Sequence, residues 1–305
     1  MDVIRARELV SQGKSHRALS RQAGSGALVR VRHGAYADAL AAPAINRHLQ
    51  LVAGTWPTLG PNTVISHVSA GVLHDLPSWT GLLGRVTVTR SGSGHGERST
   101  HLYARRSDLS GQEVIELGGY RVTSLERTAI DFSCLLNYEQ AVSVLDAALH
   151  AKADLALLAA TVEAAGRKRG IGTARAALAF ADGRSESPGE SISRVRIAEV
   201  GLERPELQVN IFDEYGNWVA RTDFGWLLRG VVGEFDGRIK YAGTPEEVSR
   251  AVMKEKAREA AIRRLGWVVV RWGWDDLANR AAFRDRIESA FTQASNQILG
   301  DARPA

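Results

Sequence analysis

Residues 28–36 read Leu-Val-Arg-Val-Arg-His-Gly-Ala-Tyr, and this alternation is the tightest local constraint in the chain. Successive side chains of a strand point to opposite faces. Val29 and Val31 therefore share an apolar face, and Arg30 and Arg32 share a basic one. His33-Gly34 supplies a hairpin turn. Upstream, Val3, Ile4, Ala6, Leu9 and Val10 form a short helical stripe over residues 2–11, closed by Gly13. Ser15 is placed to N-cap a second helix from His16 to Ala23. Leu19 faces inward on it, Arg17, Ser20 and Arg21 face outward, and Gly24 and Gly26 stop it. Helix, turn, short basic helix and basic hairpin is the order of a winged helix-turn-helix. In that module the second helix enters the major groove and the hairpin rests on backbone phosphates.

Charge agrees with that order. Residues 1–36 hold Arg5, Arg7, Lys14, Arg17, Arg21, Arg30 and Arg32 against Asp2 and Glu8, which accounts for the whole net charge of +5. A basic module on a neutral body is the footprint of phosphate binding. The expected partner is double-stranded DNA, contacted by Lys14, His16, Arg17, Ser20, Arg21, Arg30 and Arg32. The string SHRALSRQAGSGALVRVRHGAYA resembles the N-terminal winged helix of AbiEi-type antitoxins of type IV toxin–antitoxin systems. The resemblance implies a transcriptional regulator and a nucleotidyltransferase-type toxin as a further partner.

The remaining 269 residues, 305 in all, are long enough for at least one further domain. At 44% hydrophobic and 24% charged the chain has the composition of a folded globular protein. No apolar run reaches the ~18 residues of a membrane span, and the N-terminus lacks the pattern of a signal peptide, so a cytoplasmic protein is expected. The single cysteine, Cys134, excludes an internal disulfide and a cysteine-rich zinc site, and its apolar setting reads as a buried structural thiol.

In the middle, a helix is expected from Ile45 to Leu59, a strand at Val64-Ile65, and a helix N-capped by Ser66 and running to His74. His67 and His74 share one face of that helix and read as satisfied structural histidines. Residues 85–90 alternate as a strand, Ser91–Ser99 reads as a flexible hairpin tip, and HLYARR (101–106) and EVIELGGYRVTS (113–124) continue a small sheet. Ser124 opens a helix over TSLERTAIDFSCLL, and residues 138–182 read as two or three helices. The strings around SHVSAGVLHDLP and VTSLERTAIDFS also resemble the body of AbiEi-like proteins. Their Thr128, Arg127 and Asp131 read as a structural polar network.

From residue 184 the order becomes helix, three strands, helix, strand. Asp223 falls on the second strand, and Glu234 and Asp236 fall on one face of the third. A turn at Arg229-Gly230 folds the second strand back on the third, and Glu190 comes from the first helix. Carboxylates on apolar strands repel unless a cation neutralises them, and converging oxygens are how Mg²⁺ or Mn²⁺ is held. This segment resembles the PD-(D/E)xK nuclease fold, in the branch related to very-short-patch-repair endonucleases. The resemblance implies metal ligands Asp223, Glu234 and Glu190, and catalytic residues Asp223, Glu234, Asp236, Lys240 and Glu190. Asp236 stands where the family usually has Lys. Lys240 fills the place of a later basic residue, and Lys254, Lys256 and Arg258 of the following helix also fit. Trp267, Trp272 and Trp274 read as core and capping aromatics.

The fold class expected is a multidomain α+β or α/β protein. A winged helix occupies 1–40, a mixed body with helical spacer 41–183, a restriction-endonuclease-like αβββαβ core 184–295 and a flexible tail 296–305. Two functions fit: an antitoxin-like DNA-binding regulator carrying a nuclease-fold domain, or a Mg²⁺-dependent DNA endonuclease targeted by its winged helix.

Overall fold

The computed structural model describes residues 3–92, 96–237 and 244–301. It is a mixed α+β protein with three sheets, and it divides into two compact units, residues 1–179 and 180–305.

The first unit opens with a two-residue strand, β1 (Ile4–Arg5), followed by α1 (Ala6–Ser11), α2 (His16–Gly24), β2 (Val29–Arg32) and β3 (Ala35–Ala37). The expected helix over 2–11 is thus shortened from its front. Ile4 and Arg5 pair antiparallel with Tyr36 and Ala35, giving the sheet order β1-β3-β2. Gly34, with φ +77°, makes the turn that no β-branched residue would accept. Leu9, Leu19, Leu28 and Tyr36 are buried together and hold these elements around one small core. Next come α3 (Ala44–Thr55), β4 (Thr63–Ile65), α4 (His67–Leu73), β5 (Val86–Arg90), β6 (Glu97–Arg98), β7 (Leu102–Arg106), β8 (Val114–Leu117) and β9 (Tyr120–Thr123). The expected helix to Leu59 ends at Thr55, and a 3₁₀ turn at Trp56–Thr58 carries Pro57. The six-stranded sheet has the order β6-β7-β5-β4-β9-β8, and its core is Leu51, Val52, Ile65, Val86, Val88, Ala104 and Val122.

Four helices complete this unit: α5 (Leu125–Ser133), α6 (Tyr138–His150), α7 (Leu155–Ala164) and α8 (Ile171–Phe180). Ser124 Oγ caps α5 by accepting the Arg127 N–H at 3.2 Å. Ser66, by contrast, makes no side-chain cap. Its hydroxyl accepts from Thr89 Oγ1 at 2.8 Å and meets His67 Nδ1 at 2.8 Å, so tertiary partners outcompete the local one. The Thr128–Arg127–Asp131 network is present. Thr128 Oγ1 meets Thr123, and Arg127 joins Asp131 at 2.9 Å, Glu113 at 2.7 Å and Ser107 at 3.0 Å. Lys168 completes it with a second bond to Asp131. Cys134 is buried at the end of α5, and burial pushes its thiol pKa up.

The second unit contains α9 (Pro188–Glu199), β10 (Glu206–Phe212), β11 (Trp218–Trp226), β12 (Val231–Phe235), α10 (Pro245–Arg264), β13 (Val268–Trp272), α11 (Trp274–Ala278) and α12 (Arg280–Asp301). The sheet runs β10-β11-β12-β13, antiparallel for the first two pairings and parallel for the last. A parallel pair needs a crossover, and α10 provides it. One core holds Phe224, Trp226, Trp272, Phe283 and Ile287, and a second holds Ile211, Val232 and Ile262. Trp272 is fully interior and donates Nε1–H to Ser193 Oγ at 2.8 Å, so it is a core residue. Trp274 is 43% exposed and packs edge-on to Phe235. Gly189 at the start of α9 lies so close to the Phe235 ring that a Cβ there would stand 1.9 Å from a ring carbon. Residues 296–301, expected in a flexible tail, continue α12 as helix.

Among the described residues no helix is long and apolar enough to cross a membrane.

Candidate functional site

Two places gather the residues singled out above. The first is the N-terminal helix and hairpin. Ser15 Oγ accepts the Ala18 N–H at 3.2 Å and starts α2 where the sequence places it. Leu19 is 1% exposed and anchors the helix inward. His16, Arg17, Ser20 and Arg21 are all exposed on the other side. Lys14 leans on Gln22 at 3.5 Å. Arg30 is exposed, with its guanidinium carbon 5.8 Å from the centroid of Tyr36, which leaves the head available at the surface. Arg32 departs from this pattern. It is half-buried and donates Nη1–H to Thr58 at 3.1 Å, tying the hairpin to the segment after α3. Basic side chains on one exposed helix face and on a hairpin can neutralise phosphates in sequence-independent fashion.

The second place is a cavity of about 470 Å³ in the second unit, lined by Asp223, Glu234, Asp236, Arg221, Arg258 and Arg271 among others. Phe224 faces Gly233 across the β11–β12 pair. That register brings Asp223 beside the Glu234–Phe235 step, where its Oδ2 accepts the Phe235 N–H at 2.9 Å. Asp223, Glu234 and Asp236 therefore do share one cavity. Glu190 does not line it. Its carboxylate accepts from Ser187 Oγ at 2.7 Å, the Glu186 N–H at 2.9 Å and Gln208 Nε2 at 2.8 Å. These hydrogen bonds seat it at the N-terminus of α9, apart from the residues that line the cavity. Lys240 lies outside the described residues.

Glu234 is held by two guanidinium groups, Arg258 at 2.5 Å and Arg271 at 2.6 Å. Glu255 of α10 bonds the same two arginines. Burial pushes the Glu234 pKa up against the pull of Arg271 and Arg258. Glu255 is driven the other way, its hydrogen bonds to Arg258 and Arg271 overcoming burial and bringing it down to about 2. The cation that neutralises Glu234 is thus arginine. Among the described residues no three His, Cys, Asp or Glu side chains are grouped so as to hold a metal ion. The donor set does not fit the expected Mg²⁺ or Mn²⁺ site of Asp223, Glu234 and Glu190. Arg271 had a sequence signal: it is the one charge in the strand Val268–Trp272.

Residues 1–37 match the family model described as a transcriptional regulator, AbiEi antitoxin. The match covers the small three-stranded module and none of the later elements. Two curated proteins of Mycobacterium tuberculosis are similar over a longer stretch: uncharacterized protein Rv2248 of strain ATCC 25618 / H37Rv, and uncharacterized protein MT2308 of strain CDC 1551 / Oshkosh. Each is 34% identical over 169 residues, covering 55% of this chain and 60% of the relative. The chain thus spans about 60% of the length of these curated relatives. Among solved structures, the crystal structure of the RV2827C protein from Mycobacterium tuberculosis aligns with 72% of this chain and 86% of its own. The TM-score is 0.40 at 13% identity.

Proposed function

We propose that residues 4–37 form a winged helix-turn-helix that binds double-stranded DNA, and that the chain is a cytoplasmic, antitoxin-like transcriptional regulator. The observation that carries this reading is α2, whose inner face is pinned by buried Leu19 while His16, Arg17, Ser20 and Arg21 stand exposed. The family description matched by residues 1–37 supports it. In this reading α2 lies in the major groove, and Arg30, with Lys14, meets backbone phosphates. Arg32 supports the hairpin through Thr58. The same family description supports a toxin as protein partner, and we take a nucleotidyltransferase-type toxin as its kind. An electrophoretic shift assay on the protein's own promoter, titrated with salt, tests the DNA reading.

We read the second unit as a restriction-endonuclease-like core, on the order α9-β10-β11-β12-α10-β13 and on the shared cavity of Asp223, Glu234 and Asp236. The alternative function, a Mg²⁺-dependent endonuclease, requires Glu234 to leave Arg258 and Arg271. Both arginines bind Glu234, so plasmid DNA is expected to stay supercoiled with or without Mg²⁺. Nicking that depends on Mg²⁺ and is lost in Asp223→Asn would establish the enzyme instead.

A further inference from the structure

A second cavity of about 470 Å³ opens in the first unit, remote in sequence from α2. Its wall is built from His67 at the start of α4, Arg105 and Arg106 at the end of β7, Arg127 and Asp131 of α5, and Lys168 after α7. Asp108 and Glu113 also line it. Four permanent cations face three carboxylates.

The acids are already engaged. Asp131 accepts from Arg127 and Lys168, Glu113 accepts from Arg127 and the Ser110 N–H, and Asp108 accepts from the Gly92 N–H at 3.3 Å. Two donors are not. His67 Nε2 and Arg105 Nε are buried and meet no hydrogen-bond partner among the described residues. The His67 side chain is 3% exposed, and its Nε2 stands 4.0 Å from Asp131, beyond hydrogen-bond reach.

We assign the tautomer in which Ser66 Oγ donates to His67 Nδ1. Thr89 Oγ1 donates to Ser66 Oγ, so the Ser66 proton is directed to His67 Nδ1. The ring proton then sits on Nε2 and makes it a donor aimed into the cavity. The position is also held against backbone preference, with His67 at φ +52°. Arg105 is fixed by stacking, its guanidinium carbon 4.4 Å from the Tyr103 ring centroid. Unsatisfied buried donors are rare in native proteins, and each calls for a partner.

We infer that this cavity binds a small phosphate-bearing ligand through Arg105, His67 Nε2–H and the outer faces of Lys168 and Arg106. The site has surplus positive charge, and two of its buried donors lack a partner among the described residues. A tetrahedral anion with several oxygens satisfies donors arriving from different elements, whereas a carboxylate offers two oxygens in one plane. The size falls within the ~300–1,000 Å³ of small-molecule sites. The inference is independent of the DNA reading, since none of its residues belongs to the N-terminal module.

The test is calorimetry and thermal melting of the full chain with inorganic phosphate, pyrophosphate and ATP, each at millimolar concentration, with citrate as the carboxylate control. At least one phosphate compound is expected to bind with a stoichiometry of one and to raise the melting temperature. Preference for ATP over pyrophosphate would assign a nucleotide, and the reverse an inorganic anion. Arg105→Gln leaves the Arg127–Asp131–Lys168 network intact, so it should melt like the parent without ligand. It should bind about tenfold more weakly or worse, as expected for a lost charged hydrogen bond. His67→Asn, which tolerates the left-handed backbone, should weaken binding as well. The inference is overturned if no phosphate compound binds the parent, if citrate binds equally well, or if Arg105→Gln binds with unchanged affinity.

Discussion

Arg127→Ala is expected to lower the stability of the first unit by roughly 3–5 kcal/mol, the usual cost of removing one partner from a buried ion pair. Arg127 is the hub of the polar network: its three nitrogens reach Asp131, Glu113 and Ser107. Asp131 is 2% exposed, so without Arg127 its charge is left with Lys168 alone. Burial by itself would raise the Asp131 pKa; His67, Lys168 and Arg127 together hold it below the ordinary carboxylate range. Burial likewise opposes the Arg127 charge, and Asp131 and Glu113 override it. At about 2–4 °C per kcal/mol for a unit of this size, the melting temperature should fall by about 10 °C. Arg127→Lys should recover part of the loss, because it restores charge but not the fork that spans two carboxylates. Denaturant melts followed by hydrogen exchange in α5 measure both. An alanine variant as stable as the parent would mean the network contributes nothing.

The same network predicts an acid response. Burial holds the His67 pKa down at about 3, against an ordinary 6.5, with Asp131 pulling upward and Arg105, Lys168 and Arg127 pulling downward. A histidine depressed in the folded state takes up a proton on unfolding. Its contribution is therefore full above about pH 6.5 and is lost as pH falls toward about 3, by about 1.4 kcal/mol per unit. Asp131, depressed below an ordinary 3.8, adds its own loss as pH falls below about 3.8. Urea midpoints for α4 and α5 should drop between about pH 6.5 and about pH 4 in the parent, and drop less in His67→Asn. Equal slopes in the two proteins would remove His67 as the cause.

How far the sequence reaches depends on whether a feature is local. The caps at Ser15 and Ser124 and the inward Leu19 are legible, because the side chain and its backbone partner lie within one turn. The pairing of Asp223 with the Glu234–Phe235 step is legible too, since a short turn leaves an antiparallel hairpin few registers. Three features are not. β1 exists only because Ile4 and Arg5 meet Tyr36 and Ala35, some thirty residues away. Ser66 looks like a cap until Thr89 claims its hydroxyl. Glu190 has the right type and order for a metal ligand, yet its carboxylate accepts hydrogen bonds from Ser187 and Gln208, the latter eighteen residues away. His67 lies between: both histidines read as satisfied, and His74 Nε2 does meet Thr123 O at 2.8 Å, but His67 Nε2 has no hydrogen-bond partner among the described residues. The i,i+4 spacing of Arg127 and Asp131 carried a signal of the network, and only the fold brings His67 to it.

Arg17→Ala combined with Arg21→Ala should weaken DNA binding severalfold at low salt and reduce its dependence on salt. Each phosphate contact releases a counterion and contributes roughly 0.9 to the slope of log K against log salt. Removing two contacts should therefore flatten that slope by about 2. Both residues are exposed on α2, and neither anchors the N-terminal core, which rests on Leu9, Leu19, Leu28 and Tyr36. Folding of the double variant should be unchanged, so the loss reports contact rather than stability. Arg32→Ala separates the two roles within the module. Its Nη1 holds Thr58, so its loss should loosen the hairpin while lowering the salt slope by less than one contact's worth. Fluorescence anisotropy on a promoter duplex across a salt series measures all three proteins. If the double variant keeps the parent slope, α2 does not face the phosphates, and the basic surface of the module serves something other than DNA.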